Sequence, residues 1–140
     1  MTIFCTSTIS GIKFVSNQIC TLNENTERPR VNITVGNKKT SWLFDTGAQR
    51  TCMNTRQFRE LVAPDQRKKL PQQLHMAGAG GNDLGFKGCY SIKMNIRGKE
   101  IEHPVVVLDQ LKDLIIGIDM MHQHGLAYDA KSREVFFQDA

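Results

Sequence analysis

Alternation of apolar and polar residues with a period of two constrains this chain more than any other feature. Val31, Ile33 and Val35 alternate with Asn32 and Thr34, Gly36-Asn37 supplies a turn, and residues 40–44 resume the run. Tyr90, Ile92, Met94 and Ile96 alternate with Ser91, Lys93 and Asn95; Arg97-Gly98-Lys99 turns the chain, and residues 101–108 form the returning strand. A third hairpin is expected from residues 126–128 and 134–138, with 130–133 between them. Such alternation sends successive side chains to opposite faces of a sheet. Strands at roughly 8–12-residue spacing with turns between them indicate an all-β domain. Two segments depart from the pattern. Residues 54–62 fit one or two helical turns with Asn54 as cap. Residues 117–124 fit a short helix closed by Gly125.

A chain of 140 residues is the size of one domain. No stretch reaches the roughly 18 consecutive apolar residues of a membrane helix, so no membrane partner is expected. The first twenty residues lack a basic start and a clean apolar run, so no secretory signal is expected. Cys5, Cys20, Cys52 and Cys89 are too few for a disulfide scaffold and too scattered for a zinc site, which fits a reducing compartment. The net charge of +4 is a mild excess, not the dense basic stripe of a nucleic-acid binder. Residues 1–27 carry only Lys13, Glu24 and Glu27 as charges and hold no sustained period. They read as a poorly patterned N-terminal extension or cleavable leader, in which 12–15 is a candidate short strand. Residues 28–140, with a net charge of +5, form the patterned domain.

The chemistry concentrates in one place. Trp42-Leu43-Phe44 runs directly into Asp45-Thr46-Gly47-Ala48. An apolar strand that ends on a carboxylate, a hydroxyl and a glycine puts the acid in a tight, partly desolvated loop. Gly47 is expected to take a conformation closed to other residues, and Thr46 to hydrogen-bond its surroundings and lock the loop. By itself Asp-Thr-Gly is also good turn chemistry. Ala77-Gly78-Ala79-Gly80-Gly81-Asn82 lies between a strand ending near Met76 and a long strand from Leu84. It reads as a glycine-rich hairpin tip, able to approach a ligand's backbone closely. A phosphate loop is excluded because no Lys-Ser/Thr follows the glycines, and a dinucleotide fingerprint because no helix follows. Asp113-Leu114-Ile115-Ile116-Gly117 is an apolar strand stopping at a glycine, with a helix after it.

Together these residues resemble the retropepsin family, the aspartic proteases of retroviruses and long-terminal-repeat retrotransposons. The resemblance runs from Arg28 to Gln138. Arg28-Pro29, Val31 to Gly36 and Leu43 to Ala48 are similar to the family's opening strands and catalytic loop; 76–86 is similar to its flap, and Leu114-Ile115-Ile116-Gly117 to the element before its helix. Gly117 to Met121 and His124 to Asp129 are closer to the retrotransposon type than to the lentiviral one. The chain departs from the lentiviral pattern in a paired way. Acidic residues after the loop alanine and an arginine after the helix-start glycine are replaced by Gln49-Arg50 and Ile118, so both partners of an ion pair are gone. Asp119 and Arg28 are the candidates to brace the loop instead.

The resemblance implies a small closed β-barrel-like fold with one short C-terminal helix, active as a symmetric homodimer. One Asp-Thr-Gly per chain would supply one carboxylate of two, so Asp45 of each protomer would meet across the two-fold axis and share a proton. One carboxylate would activate water and the other would hydrogen-bond the scissile carbonyl. The family places Thr46 in a cross-dimer grip, Gly47 and Ala48 in support of the loop, and Ala77, Gly78, Ala79, Gly80 and Gly81 in a flap over an extended peptide. No metal or other cofactor is implied, and no nucleic-acid partner for this domain. The implied substrate is a Gag-Pol-type polyprotein, cut in the cytoplasm within virus-like particles. The alternative is a catalytically silent or domesticated dimerisation module of the same fold in a cellular protein.

Other residues read as packing or surface. His122 and His124, two apart on a helix, do not face one site and read as surface histidines. Met53, Met94, Met120 and Met121 read as core or interface filler, Trp42 as packing, and Arg67-Lys68-Lys69 as a solvated loop. Phe136 and Phe137 should point to opposite faces, one buried in the monomer and one at the dimer contact.

Overall fold

The computed structural model describes residues 3–5 and 28–138. Its strands are β1 (Ile3–Cys5), β2 (Arg30–Val35), β3 (Lys38–Phe44), β4 (Cys52–Asn54), β5 (Lys68–Leu70), β6 (Met76–Gly78), β7 (Phe86–Ile96), β8 (Lys99–Leu108), β9 (Ile115–Ile116), β10 (Leu126–Asp129) and β11 (Glu134–Phe137). Two short helices, α1 (Thr55–Leu61) and α2 (Ile118–His124), join them. All three hairpins expected from alternation form: β2–β3 with Val35 opposite Lys38, β7–β8 with Ile96 opposite Lys99, and β10–β11 with Asp129 opposite Glu134.

The strands close into a barrel. The order β2-β3-β9-β4-β8-β7 returns to its start through an Ile33–Ile96 pairing of β2 with β7. Two of the contacts in this ring are parallel, β3 with β9 and β4 with β8. Closure removes the exposed edges that an open sheet would carry. β5 adds to the remaining stretch of β7. It shows that residues 68–70 are a strand rather than the solvated loop expected from their charge, with Lys68 and Lys69 keeping their side chains exposed. The candidate strand at 12–15 lies outside the described residues. The strand that is described upstream of residue 28 is β1, which pairs antiparallel with β6.

Barrel strands with continuous apolar runs are covered on both faces. Trp42 and Phe44 of β3, Val105 and Val107 of β8, and Ile116 of β9 join one buried cluster. Their neighbours Leu43, Val106, Leu108 and Ile115 join a second one, with Ala48, Met76 and Leu84. This explains why those runs lack alternation. Each fully buried aliphatic side chain stabilises the fold by about 1.5–3 kcal/mol relative to an exposed one. Trp42 is wholly buried and donates its Nε1–H to Thr40 Oγ1 at 2.8 Å, and Met53, Met94 and Met120 fill the core. Of the two adjacent phenylalanines, Phe136 is 38% exposed and Phe137 packs against the core, with the Lys99 ammonium 4.7 Å from its ring centre.

Asn54 caps α1 as its position suggested. Its Oδ1 accepts from Gln57 N–H at 2.7 Å, and its buried Nδ2 donates to Leu111 O at 3.1 Å. Asn54→Ala removes both bonds and leaves a buried carbonyl unpaired. A loss of about 1–2 kcal/mol is expected, to be read from the denaturant midpoint at unchanged slope. Gly125 closes α2 in the left-handed conformation, with φ of 68°.

Candidate active site

The position of Asp45 follows from the parallel pair β3–β9. Leu43 lies opposite Ile115 and Phe44 opposite Ile116, so both strands end side by side. Leu43 N–H donates to Leu114 O and Asp45 N–H to Ile116 O. The chain after β3 must then turn, and the turn carries the acid. Gly47 N–H donates to Asp45 Oδ1 at 2.8 Å, and Ala48 N–H to Asp45 O at 3.1 Å. Ala48 O accepts from Ile118 N–H at 2.9 Å, which ties the turn to the start of α2.

Gly117 is where the two segments touch. A Cβ built on it would lie 2.6 Å from both the carbonyl carbon and the oxygen of Arg50, and 2.9 Å from Ala48 O. Only a residue with no side chain fits there. The glycine that ends the apolar run before α2 is thus required by the Asp45 loop that crosses it.

Asp45 is 6% exposed. Burial pushes its carboxyl above the ordinary value, opposed by the Gly47 N–H and by the Arg28 guanidinium. Arg28 Nη2 lies 3.9 Å from Oδ2. Oδ2 is itself buried without a hydrogen-bond partner among the described residues. A buried carboxylate oxygen left unsatisfied is costly, so a proton, a water or a second polar group is expected there.

The other loop residues behave differently from one another. Ala48 is fully buried, whereas Thr46 is exposed and its hydroxyl makes no hydrogen bond among the described residues. The expected lock on the loop therefore comes from the Gly47 and Ala48 amides, not from Thr46. Gly47 does not take a positive φ, so its contribution is an unobstructed N–H rather than an unusual torsion.

Residues 76–84 form a hairpin whose first leg, β6, begins at Met76 instead of ending there, and the long strand after it begins at Phe86, two residues beyond Leu84. Leu84 N–H donates to Met76 O, Gly78 N–H to Asn82 O and Gly81 N–H to Gly78 O. Met76, Gly78 and Leu84 are buried, Ala77 and Ala79 half-buried, and Gly80 and Gly81 exposed. Only Gly81 at this tip has a positive φ, 83°; a Cβ on Gly78 would lie 3.0 Å from Asn82 Oδ1, whereas Gly80 has room for one. At the base, Leu84 O and Gly85 O accept from Gln110 and Asp109 N–H, anchoring the hairpin to the end of β8. Among the described residues no group of three or more His, Cys, Asp or Glu side chains is arranged to hold a metal.

Sequence reading missed a polar chain behind this site. Asp119 Oδ1 accepts from Thr51 Oγ1 at 2.8 Å, Asp119 Oδ2 lies 3.0 Å from His103 Nε2, and His103 Nδ1 lies 3.1 Å from His124 Nε2. Of the two candidates to brace the loop, Asp119 hydrogen-bonds the segment just after it, and Arg28 lies near the acid itself. His124 is half-buried and bonded to His103, whereas His122 is exposed. His103 carried a signal: it falls on the same parity as Ile101, Val105 and Val107, the inward face of β8.

Comparison with known proteins agrees with the fold. No curated protein sequence matches the chain. Among solved structures it is similar to the EIAV protease complexed with the inhibitor HBY-793, at 21% identity and a TM-score of 0.58, covering 69% of this chain and 88% of that one. It is also similar to the retroviral protease-like domain of Ddi1 from Leishmania major, at 22% identity and a TM-score of 0.60, covering 81% and 89%. The family model for the gag-polyprotein putative aspartyl protease matches residues 31–123, from the first barrel strand to the last turn of α2. The chain belongs to that family and is a retropepsin-like aspartyl protease domain.

Proposed function

We propose that this domain is an aspartic endopeptidase that works as a symmetric homodimer and cleaves a Gag-Pol-type polyprotein. The observation that carries the reading is Asp45 Oδ2, buried without a hydrogen-bond partner among the described residues at the end of paired parallel strands. One chain holds one such carboxylate, and the chemistry needs two around a water. In the dimer the two Asp45 residues share one proton. The ionised one takes a proton from water as it attacks the scissile carbonyl, and the protonated one hydrogen-bonds the carbonyl oxygen. Thr46, exposed and free to bond outward, grips the partner's loop. Gly47 faces the substrate backbone.

The 76–84 hairpin then serves as the flap, with Ala77, Gly78, Ala79, Gly80 and Gly81 over the peptide. The edge of β6 accepts an added strand in antiparallel register, as its pairing with β1 supports. Residues 1–27 act as a leader or extension, and the domain works in the cytoplasm within virus-like particles. The likeness to the Ddi1 domain favours a second reading, the same fold serving a cellular protein as a dimerisation module. Incubating the chain with peptides from its flanking polyprotein, with and without a pepstatin-type inhibitor, separates the two. Cleavage that the inhibitor stops supports the protease; no cleavage of any peptide supports the module.

The dyad also sets the pH profile. Activity needs one protonated and one ionised Asp45, so it falls in acid when both are protonated and at higher pH when both are ionised. The shared proton raises one apparent pKa of the pair and leaves the other low, and burial also raises the Asp45 carboxyl, so the upper limb lies above the ordinary carboxylate range. A bell on the acidic-to-neutral side is expected for kcat/KM, and a rate that climbs steadily into alkali would point to another base.

A further inference from the structure

Four polar side chains from three separate segments meet beneath the Asp45 loop. Thr51 follows the loop, His103 lies on β8, and Asp119 and His124 stand at the two ends of α2. Thr51 is wholly buried and His103 is 2% exposed. Every side-chain polar atom of Thr51, Asp119 and His103 is used. Gly117 N–H donates to Thr51 Oγ1 at 3.1 Å, and the Thr51 hydroxyl donates to Asp119 Oδ1. The other carboxylate oxygen accepts from His103 Nε2–H, and His103 Nδ1 and His124 Nε2 share the remaining hydrogen bond.

Burial alone would raise the Asp119 carboxyl, but hydrogen bonds from His103 and Thr51 outweigh it and hold it below the ordinary value. Burial, then the nearby His103 and Lys99, keeps His124 below the ordinary histidine value. An ionised Asp119, which can only accept, is the state this bonding pattern needs.

The chain ends on the backbone that carries the acid. Gly117 N–H is bonded to Thr51, the next amide, Ile118 N–H, is bonded to Ala48 O, and Ala48 N–H is bonded to Asp45 O. Rotation of Thr51, which Asp119 holds in place, would therefore release Gly117 N–H, next to the Ile118 amide that holds Ala48 O. Outer-shell groups of this kind set the orientation of the group that reacts.

We propose that His103 and Asp119 are positioning residues for Asp45, acting through Thr51 and the Gly117–Ile118 backbone, with His124 holding the His103 ring. The proposal rests on the protease reading of Asp45 for its kinetic consequence but not for its structural one. Its test uses the full chain with His103→Ala, His103→Gln and Thr51→Val, read by peptide kinetics and by amide hydrogen exchange. His103→Ala is expected to lower kcat about tenfold with KM within about twofold, as loss of an outer-shell orienting group does. Protection of the Ala48 and Ile118 amides should fall about tenfold, while amides of the β7–β8 ladder keep theirs. The glutamine variant, whose Nε2 also donates to Asp119, should restore both within about threefold. If His103→Ala does not fold, Thr51→Val and the glutamine variant carry the same comparison.

Unchanged kcat and unchanged Ala48 and Ile118 protection in the folded variants would overturn the proposal. So would an equal loss of protection across the β7–β8 ladder, or a glutamine variant no better than alanine. A wild-type chain that cleaves no peptide contradicts the protease reading instead, and hydrogen exchange then decides the brace alone.

Discussion

Asp45→Asn is expected to lower peptidase kcat by at least about a thousandfold, the scale of losing a positioned acid–base group. The amide keeps the size of the carboxyl and can still accept from Gly47 N–H, so the loop should hold its shape. It cannot take a proton from water or share one with a partner carboxylate. Stability should move little, and in a definite direction. Burial places the folded-state pKa of Asp45 above its unfolded value. Ionised Asp45 therefore costs stability once the pH rises above the unfolded carboxylate range, about pH 4. Below that range the carboxyl is neutral in both states and the cost vanishes. Asparagine carries no such cost, so the variant should be at least as stable as the parent at neutral pH. Full activity in a purified Asp45→Asn protein, or its unfolding, would contradict these expectations.

Gly117→Ala carries the second large effect. The added methyl meets backbone atoms of Arg50 and Ala48 at 2.6–2.9 Å, and no flexible side chain stands there to yield. The conflict can be relieved only by moving the Asp45 loop away from the start of α2. Overpacking of this kind costs about 1–3 kcal/mol. The kinetic loss should be larger in proportion, because a shift of about 1 Å in a catalytic group costs about a hundredfold. Moving the loop also stretches the Ile118–Ala48 and Gly117–Thr51 bonds, which fix its lower side. Thermal unfolding and peptide kinetics on the same preparation would show a modest loss of Tm beside a severe loss of kcat. Parental kcat in Gly117→Ala would mean that the crossing does not set the position of Asp45.

Much of the barrel was legible because half-buried antiparallel strands write their burial into the sequence with a period of two. The Val31–Val35 and Tyr90–Ile96 runs show it, and the turns between strands carry their own residue signals. Strands β4, β5 and β9 are two or three residues long, and partners distant in sequence make them strands. Cys52–Asn54 forms on β8 and Ile115–Ile116 on β3, so local propensity has little to say about their bounds. The Asp45 loop was legible as chemistry, but the roles inside it were not: the bonds that fix it come from backbone amides of Gly47 and Ala48, which no residue type announces. The His103–Asp119–His124 chain was hidden for a related reason. A histidine on an apolar strand face looks like an interruption until the helix that satisfies it is placed against it.

In the proposed mechanism two Asp45 carboxylates, one from each of two chains, do the chemistry. Mixing the wild-type chain with Asp45→Asn at constant wild-type concentration tests this most directly. Under exchange at equilibrium, a ninefold excess of the variant leaves about a tenth of the wild-type chains paired with each other. Cleavage is expected to fall to about that tenth, following the fraction of wild-type homodimers at every mixing ratio. Cleavage that stays constant as the variant is added, with mixed dimers shown to form, would mean that one Asp45 suffices and would contradict it.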